Sequence, residues 1–169
     1  MYMDAGHGGW LGWAANIGPA ATLFSSVYKA AGSPSQVRGL ATNVANYNAF
    51  SIGTCPSYTQ GDSNCDEKRY INALAPLLTQ AGFPANFIID TCKLPKTFLC
   101  ICTMLNIIQA RNGVQPTAQL QWGDWCNLKG TGFGARPTTN TGDPLADAFV
   151  WAKPGGECDV CILPNETET

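Results

Sequence analysis

The sequence predicts an α/β fold, a portion of a (β/α) barrel, on three observations. Stretches with helical apolar spacing alternate with short apolar runs of strand character. The segment 113–143 is rich in Gly, Pro, Thr and Asn and reads as ordered loops rather than as further helices or strands. The 169 residues suffice for one domain with a real core, yet fall short of the ~250 usual for a closed barrel. In order, 20–31 carries apolar positions at helical spacing and stops at Gly32, and 37–44 reads as a strand. A second helix covers 68–81 and stops at Gly82, and 86–90 reads as another strand. Loops after the strands of such a fold converge on one face, which places Asp4, Asn46, Arg111 and 153–159 on a common rim. No internal repeat and no low-complexity linker interrupts the chain.

Composition narrows the partners. Charged residues are 13%, the formal net charge is −2, and there are five Trp and five Tyr, so no basic surface for nucleic acid is present. The uncharged run 97–108 is well short of the ~20 residues a membrane-crossing helix needs, so no membrane partner is expected. No charged segment followed by an apolar stretch precedes Asp4, so no signal peptide is read here. Eight Cys point to an oxidising compartment. Cys55 and Cys65 bracket a short loop that a disulfide could staple at low closure cost. Cys92, Cys100 and Cys102 lack the spacing of a structural zinc site, and the chain's single His lies far away at position 7, so no metal is expected.

That His sits in the opening segment, YMDAGHGGWLGW (2–13), which gathers Asp4, His7, Trp10 and Trp13 within a Gly-rich loop. Two readings stand side by side. Indole faces stack on the apolar faces of sugar rings, Asp4 and His7 bond hydroxyls or move protons, and glycines admit a ligand to the backbone. The same residues also describe a glycine-rich turn with two structural tryptophans. Further along come RGLATNVANYN (38–48), WGDWCN (122–127), GTGFGARPTTNTGDPL (130–145) and FVWAKPGGECD (149–159). In that order, with the opening loop, they resemble glycoside hydrolase family 6, whose members are secreted cellobiohydrolases and endoglucanases that hydrolyse cellulose with inversion. The resemblance covers 1–91 and 111–159.

The resemblance implies the C-terminal portion of a distorted (β/α) barrel of the family 6 cellulase type, incomplete here because family members have a longer catalytic domain. It implies a cellulose or cello-oligosaccharide ligand, no cofactor, a monomer and a secreted parent protein. Asp159 matches the family's Asp proposed as catalytic base or as a stabiliser of the oxocarbenium-like transition state. Asp4 matches an Asp at a strand end with a supporting role. His7, Asn46, Lys153 and Glu157 match polar sugar ligands, with a structural role as the alternative for His7 and a salt bridge for the last two. Trp10, Trp13 and Trp125 match stacking platforms, while Trp122 and Trp151 are left as core. Arg111 matches a polar residue of the same face, positioned to pair with Glu157 or Asp159 and hold that carboxylate ionised. Cys126 and Cys158 lie inside family motifs. Relatives carry Pro where this chain has Ala14, which loosens the loop after Trp13. The catalytic acid is expected in the half of the domain that this chain does not match. No cellulose-binding module or its stalk is recognised.

The segment 92–110 separates Ile88-Ile89-Asp90-Thr91 from Arg111-Asn112-Gly113, which family sequences join directly. An extra helix, a short membrane segment and a translated intron are the three readings. Cys92-Lys93 can be encoded TGT-AAG, containing a GTAAG donor, and Met104-Leu105-Asn106 can contain a CTAAC branch site. Excision after the first base of codon 92 and the first base of codon 110 creates a Ser codon, the residue of the family motif, and preserves the frame. An acceptor ending AAG is the weak point. Val160-Cys161 can encode a second donor, GTATGT, so 160–169 reads as intron translated to its first stop, and its Asn165 sequon as an accident. The family domain is thus expected over 1–159, interrupted by 92–110.

Overall fold

A computed structural model describes residues 1–44, 46, 48–55, 59–91 and 135–152. Four strands form one parallel sheet in the order β1 (Tyr2–Asp4), β2 (Gly39–Thr42), β3 (Asn86–Asp90), β4 (Ala146–Val150). One helical turn, α1 (Gly8–Leu11), and helix α2 (Ala14–Ala30) link β1 to β2, and α3 (Glu67–Gln80) lies between β2 and β3. The βα alternation read from the sequence is present.

Register assigns the two faces of the sheet. Tyr2 pairs with Gly39, which pairs with Asn86, so Met3, Leu40 and Phe87 share the opposite face. That opposite face meets the helices. Leu40, Phe87 and Ile89 are buried in one cluster with Tyr70, Ile71, Leu74 and Leu78 of α3, and Ile17, Phe24 and Tyr28 of α2 pack against it. A Cβ at Gly39 would overlap the Asn86 carbonyl oxygen, so this register demands glycine there. Between β3 and β4 the register shifts: Phe87 faces Ala146 and Ile88 faces Ala148, leaving Asp147 unopposed. Asp147 uses that freedom to accept from Arg38 Nε and Nη2, both at 2.7 Å, and from the Tyr2 hydroxyl at 2.6 Å, joining the beginnings of three strands.

Helix α3 starts where its sequence says it should. The Asp66 side chain caps it by accepting from the Arg69 N–H at 2.8 Å, Glu67 stands in the first turn, and Gly82 at φ +79 ends it. Helix α2 departs from the expected 20–31 by beginning at Ala14. Gly18 and Pro19 disfavour a helix locally, but a proline in the second turn forfeits one N–H bond and the packed face outweighs that loss. The expected strand 37–44 shortens to Gly39–Thr42 because Asn43 adopts φ +63 and turns the chain. Neither α1 nor β4 was expected from periodicity: α1 is a single turn, and Asp147 breaks the apolar run of β4. Trp151, expected in the core, is half-buried outside the main cluster, its Nε1 donating to the Ala135 carbonyl at 2.9 Å.

A disulfide joins Cys55 and Cys65, with Cα atoms 5.8 Å apart, and staples the loop ahead of α3. The segments 92–110 and 160–169 lie outside the described residues, as does most of the loop region 113–143. No helix among the described residues is long and apolar enough to cross a membrane.

Candidate active site

All four strands run the same way, so Asp4, Thr42, Asp90 and Val150 end at one edge of the sheet, and the loops that follow them share that edge. Asp4 is exposed at the end of β1 and its Oδ1 accepts the Gly6 N–H at 2.9 Å, a tight turn that Gly6 enters at φ +58. The chain then reverses through His7 into α1, which carries Trp10 outward.

His7 is half-buried, and its Nδ1 is shielded with no hydrogen-bond partner among the described residues. Burial lowers its pKa below 6.5, and the nearby Asp4 carboxylate opposes this without cancelling it. The imidazole is therefore neutral near pH 7, with one nitrogen to donate and one to accept. Trp10 lies 6.4 Å from His7 between ring centroids and is 60% exposed, an open indole face beside an imidazole. Trp13 is half-buried, and its Nε1 donates to the Gly9 carbonyl at 3.0 Å, which fixes the ring. A groove of about 460 Å³ runs from Asp4 and Gly6 past Trp10 to Asn16, Leu23 and Phe24.

The loop after β2 reaches the same edge. Asn43 donates its N–H to the Gly6 carbonyl at 2.7 Å, and its side chain binds the Asn48 backbone through both amide atoms and the Asp90 carbonyl through Nδ2. Asn46 is half-buried with Nδ2 3.3 Å from Asn43 Oδ1. Asp4, His7, Trp10 and Trp13 thus lie on the segment that ends β1 and follows it, Asp4 and Trp10 line the groove, and Asn46 lies on the loop after β2 that shares the edge. Asp159, Arg111, Trp125, Lys153, Glu157 and Trp122 lie outside the described residues. Among the described residues no group of three His, Cys, Asp or Glu side chains is placed to hold a metal.

An exposed indole beside a neutral imidazole, near a carboxylate at the carboxyl end of a parallel sheet, suits a polyhydroxylated ring better than a phosphate or a metal. The model of glycosyl hydrolases family 6 matches residues 1–99 and 103–162. The chain belongs to glycosyl hydrolases family 6. A probable 1,4-beta-D-glucan cellobiohydrolase C of Aspergillus fumigatus is 69% identical over 159 residues, 94% of this chain and 31% of that protein. The catalytic core of the cellobiohydrolase Cel6A of Chaetomium thermophilum is 61% identical with a TM-score of 0.74, over 94% of this chain and 39% of that one. Endoglucanase Cel6B of Humicola insolens matches at 39% identity and a TM-score of 0.70. This family 6 chain therefore spans about a third of the length of the curated relatives it matches.

Sequence reasoning missed the residues beneath the site. Glu67 and Tyr70 carry no motif of their own, and Glu67 precedes the expected helix 68–81. Asn43 lies inside RGLATNVANYN, where its left-handed backbone left only the weak signal of an Asn after an apolar run.

Proposed function

We propose that this chain is a portion of a secreted family 6 glucanase that hydrolyses β-1,4-glucosidic bonds of cellulose with inversion. The observation that carries this reading is the loop Asp4 to Trp13, held at the carboxyl edge of the sheet with an exposed indole, a neutral imidazole and a carboxylate side by side. Solved relatives support the ligand class: a Humicola insolens Cel6A is described in complex with glucose and cellotetraose. On this reading Trp10, Trp13 and Trp125 stack on glucosyl rings, and His7, Asn46, Lys153 and Glu157 bind hydroxyls. Asp4 orients substrate or its neighbours. Asp159 acts as base or stabilises the positive charge that develops at the anomeric carbon, and Arg111 keeps that carboxylate ionised. Inversion needs a second carboxyl to protonate the leaving oxygen, ~6.5–9.5 Å from the base, with water attacking from the opposite side. On this reading that acid is supplied from outside the residues matched here.

Sequencing the mature transcript tests the parentage. A message extending upstream through the remaining domain and lacking codons 92–110 supports it; one identical to the 169 codons overturns it. The protein from the longer message should release the α-anomer from cellohexaose by proton NMR, and release of the β-anomer overturns inversion.

A further inference from the structure

The segment Ala5 to Gly8 is pinned at both ends by one helix. The Ala5 N–H donates to the Ala41 carbonyl at 2.8 Å, and the Ala5 carbonyl accepts from the Tyr70 hydroxyl at 2.9 Å. The Gly6 carbonyl accepts from the Asn43 N–H. The Gly8 N–H, first of α1, donates to Glu67 Oε1 at 2.9 Å. That bond matters because the N-cap of α1 is His7, whose side chain caps nothing. Glu67 does the capping from another helix, and the same Oε1 accepts from Asn48 Nδ2 at 2.9 Å. Both Glu67 and Tyr70 are fully buried, one turn apart on α3. A Cβ at Gly8 would stand 2.5 Å from the Asn64 carbonyl oxygen and 3.2 Å from Tyr70 Cβ, so backbone and helix are in direct contact here.

We propose that Glu67 and Tyr70 are positioning residues of the active site: together they fix the Ala5–Gly8 backbone and so set where His7 and the Trp10 indole stand relative to Asp4 and the Asn48 loop. The argument is geometric. Residue 7 lies between two backbone groups that α3 holds, and a carboxylate shared by the Gly8 and Asn48 groups fixes the spacing of the two loops. A buried carboxylate that only capped α1 would need one acceptor contact; this one joins two segments that the fold brings to the rim from different strands.

The chain's single His gives a direct reading, since one imidazole resonance titrates without overlap. Burial lowers the pKa of that group and the Asp4 carboxylate opposes this, so its pKa follows the placement of the loop. The experiment records His7 titration by NMR and cellotetraose affinity by indole fluorescence in the 169-residue chain and in E67A, E67Q and Y70F, with far-UV circular dichroism as the fold control. E67A and Y70F should move the His7 pKa up toward 6.5 and weaken cellotetraose by about tenfold, the scale of one lost hydrogen bond. E67Q keeps the Oε1 acceptor and should leave both readouts near those of the unsubstituted chain. Should E67A fail to fold, Y70F, which loses a single oxygen, carries the decision. A folded Y70F or E67A with unmoved His7 titration overturns the proposal, and so does an E67Q that behaves as E67A. The binding arm rests on the glucan reading above, and the titration arm does not. An unsubstituted chain that binds no cellotetraose overturns the glucan reading, and the titration still decides positioning.

Discussion

Single side chains in this molecule are constrained most where backbone meets backbone. Gly8 has no room for a methyl group, so G8A should lower stability by about 1–3 kcal/mol, the usual cost of overpacking, measured by urea denaturation. His7 works through its charge state. Its folded pKa lies below 6.5, so above that value both states are neutral and the group contributes nothing to the pH dependence. As pH falls below 6.5 the unfolded chain takes up a proton that the folded chain resists, and stability declines until the folded pKa is passed. H7Q should remove this component, visible as a flatter stability profile between pH 7 and pH 5. The motif that contains His7 was legible because its residue types are rare and adjacent. Glu67 was not legible, because its meaning lies in two amide contacts from segments 59 and 19 residues away.

Among the elements, α2 shows how a local rule and a packed face trade against each other. Trp13 precedes it at φ −59, ψ 143, a conformation that a following proline requires, and the Ala14 N–H lies in the first turn where no intrahelical acceptor exists. A14P should therefore raise stability by about 0.4–1 kcal/mol by restricting the unfolded chain, read as an increase in the denaturation midpoint. The loosening expected from Ala14 is an effect on the unfolded ensemble more than on the helix itself. The Cys55–Cys65 bridge closes a short loop just ahead of the cap of α3. Replacing both cysteines by Ser should cost about 2–3 kcal/mol on the loop-entropy estimate, with thermal unfolding as the measure. Helix α3 was legible to within one residue at each end because cap, amphipathic face and terminal glycine agree. Strand β4 was not, since Asp147 interrupts its apolar run, whereas β3 of equal length carries Phe87-Ile88-Ile89 unbroken.

Over the whole molecule, the Asp147 carboxylate ties chain segments 145 and 109 residues apart, the Tyr2 hydroxyl and the Arg38 guanidinium. The Arg38 hydrogen bonds hold the Asp147 pKa below its usual value against the opposing effect of burial. A depressed folded pKa stabilises above the unfolded value and the gain disappears as pH falls through the folded one, so this contribution is lost in acid. D147N should lower the urea midpoint at pH 7 and narrow the gap between the midpoints at pH 7 and pH 3. The sequence by itself determined the family, the βα alternation and which residues gather in the opening loop, because these depend on local composition, periodicity and motif order. Only the tertiary structure decided that α3 holds the ends of the His7 segment, that Asn43 braces the neighbouring loop, and that a register shift frees Asp147. Those facts depend on the side-by-side pairing of parallel strands and on helix-to-sheet packing, which relate residues by spatial neighbourhood and leave no period in the chain.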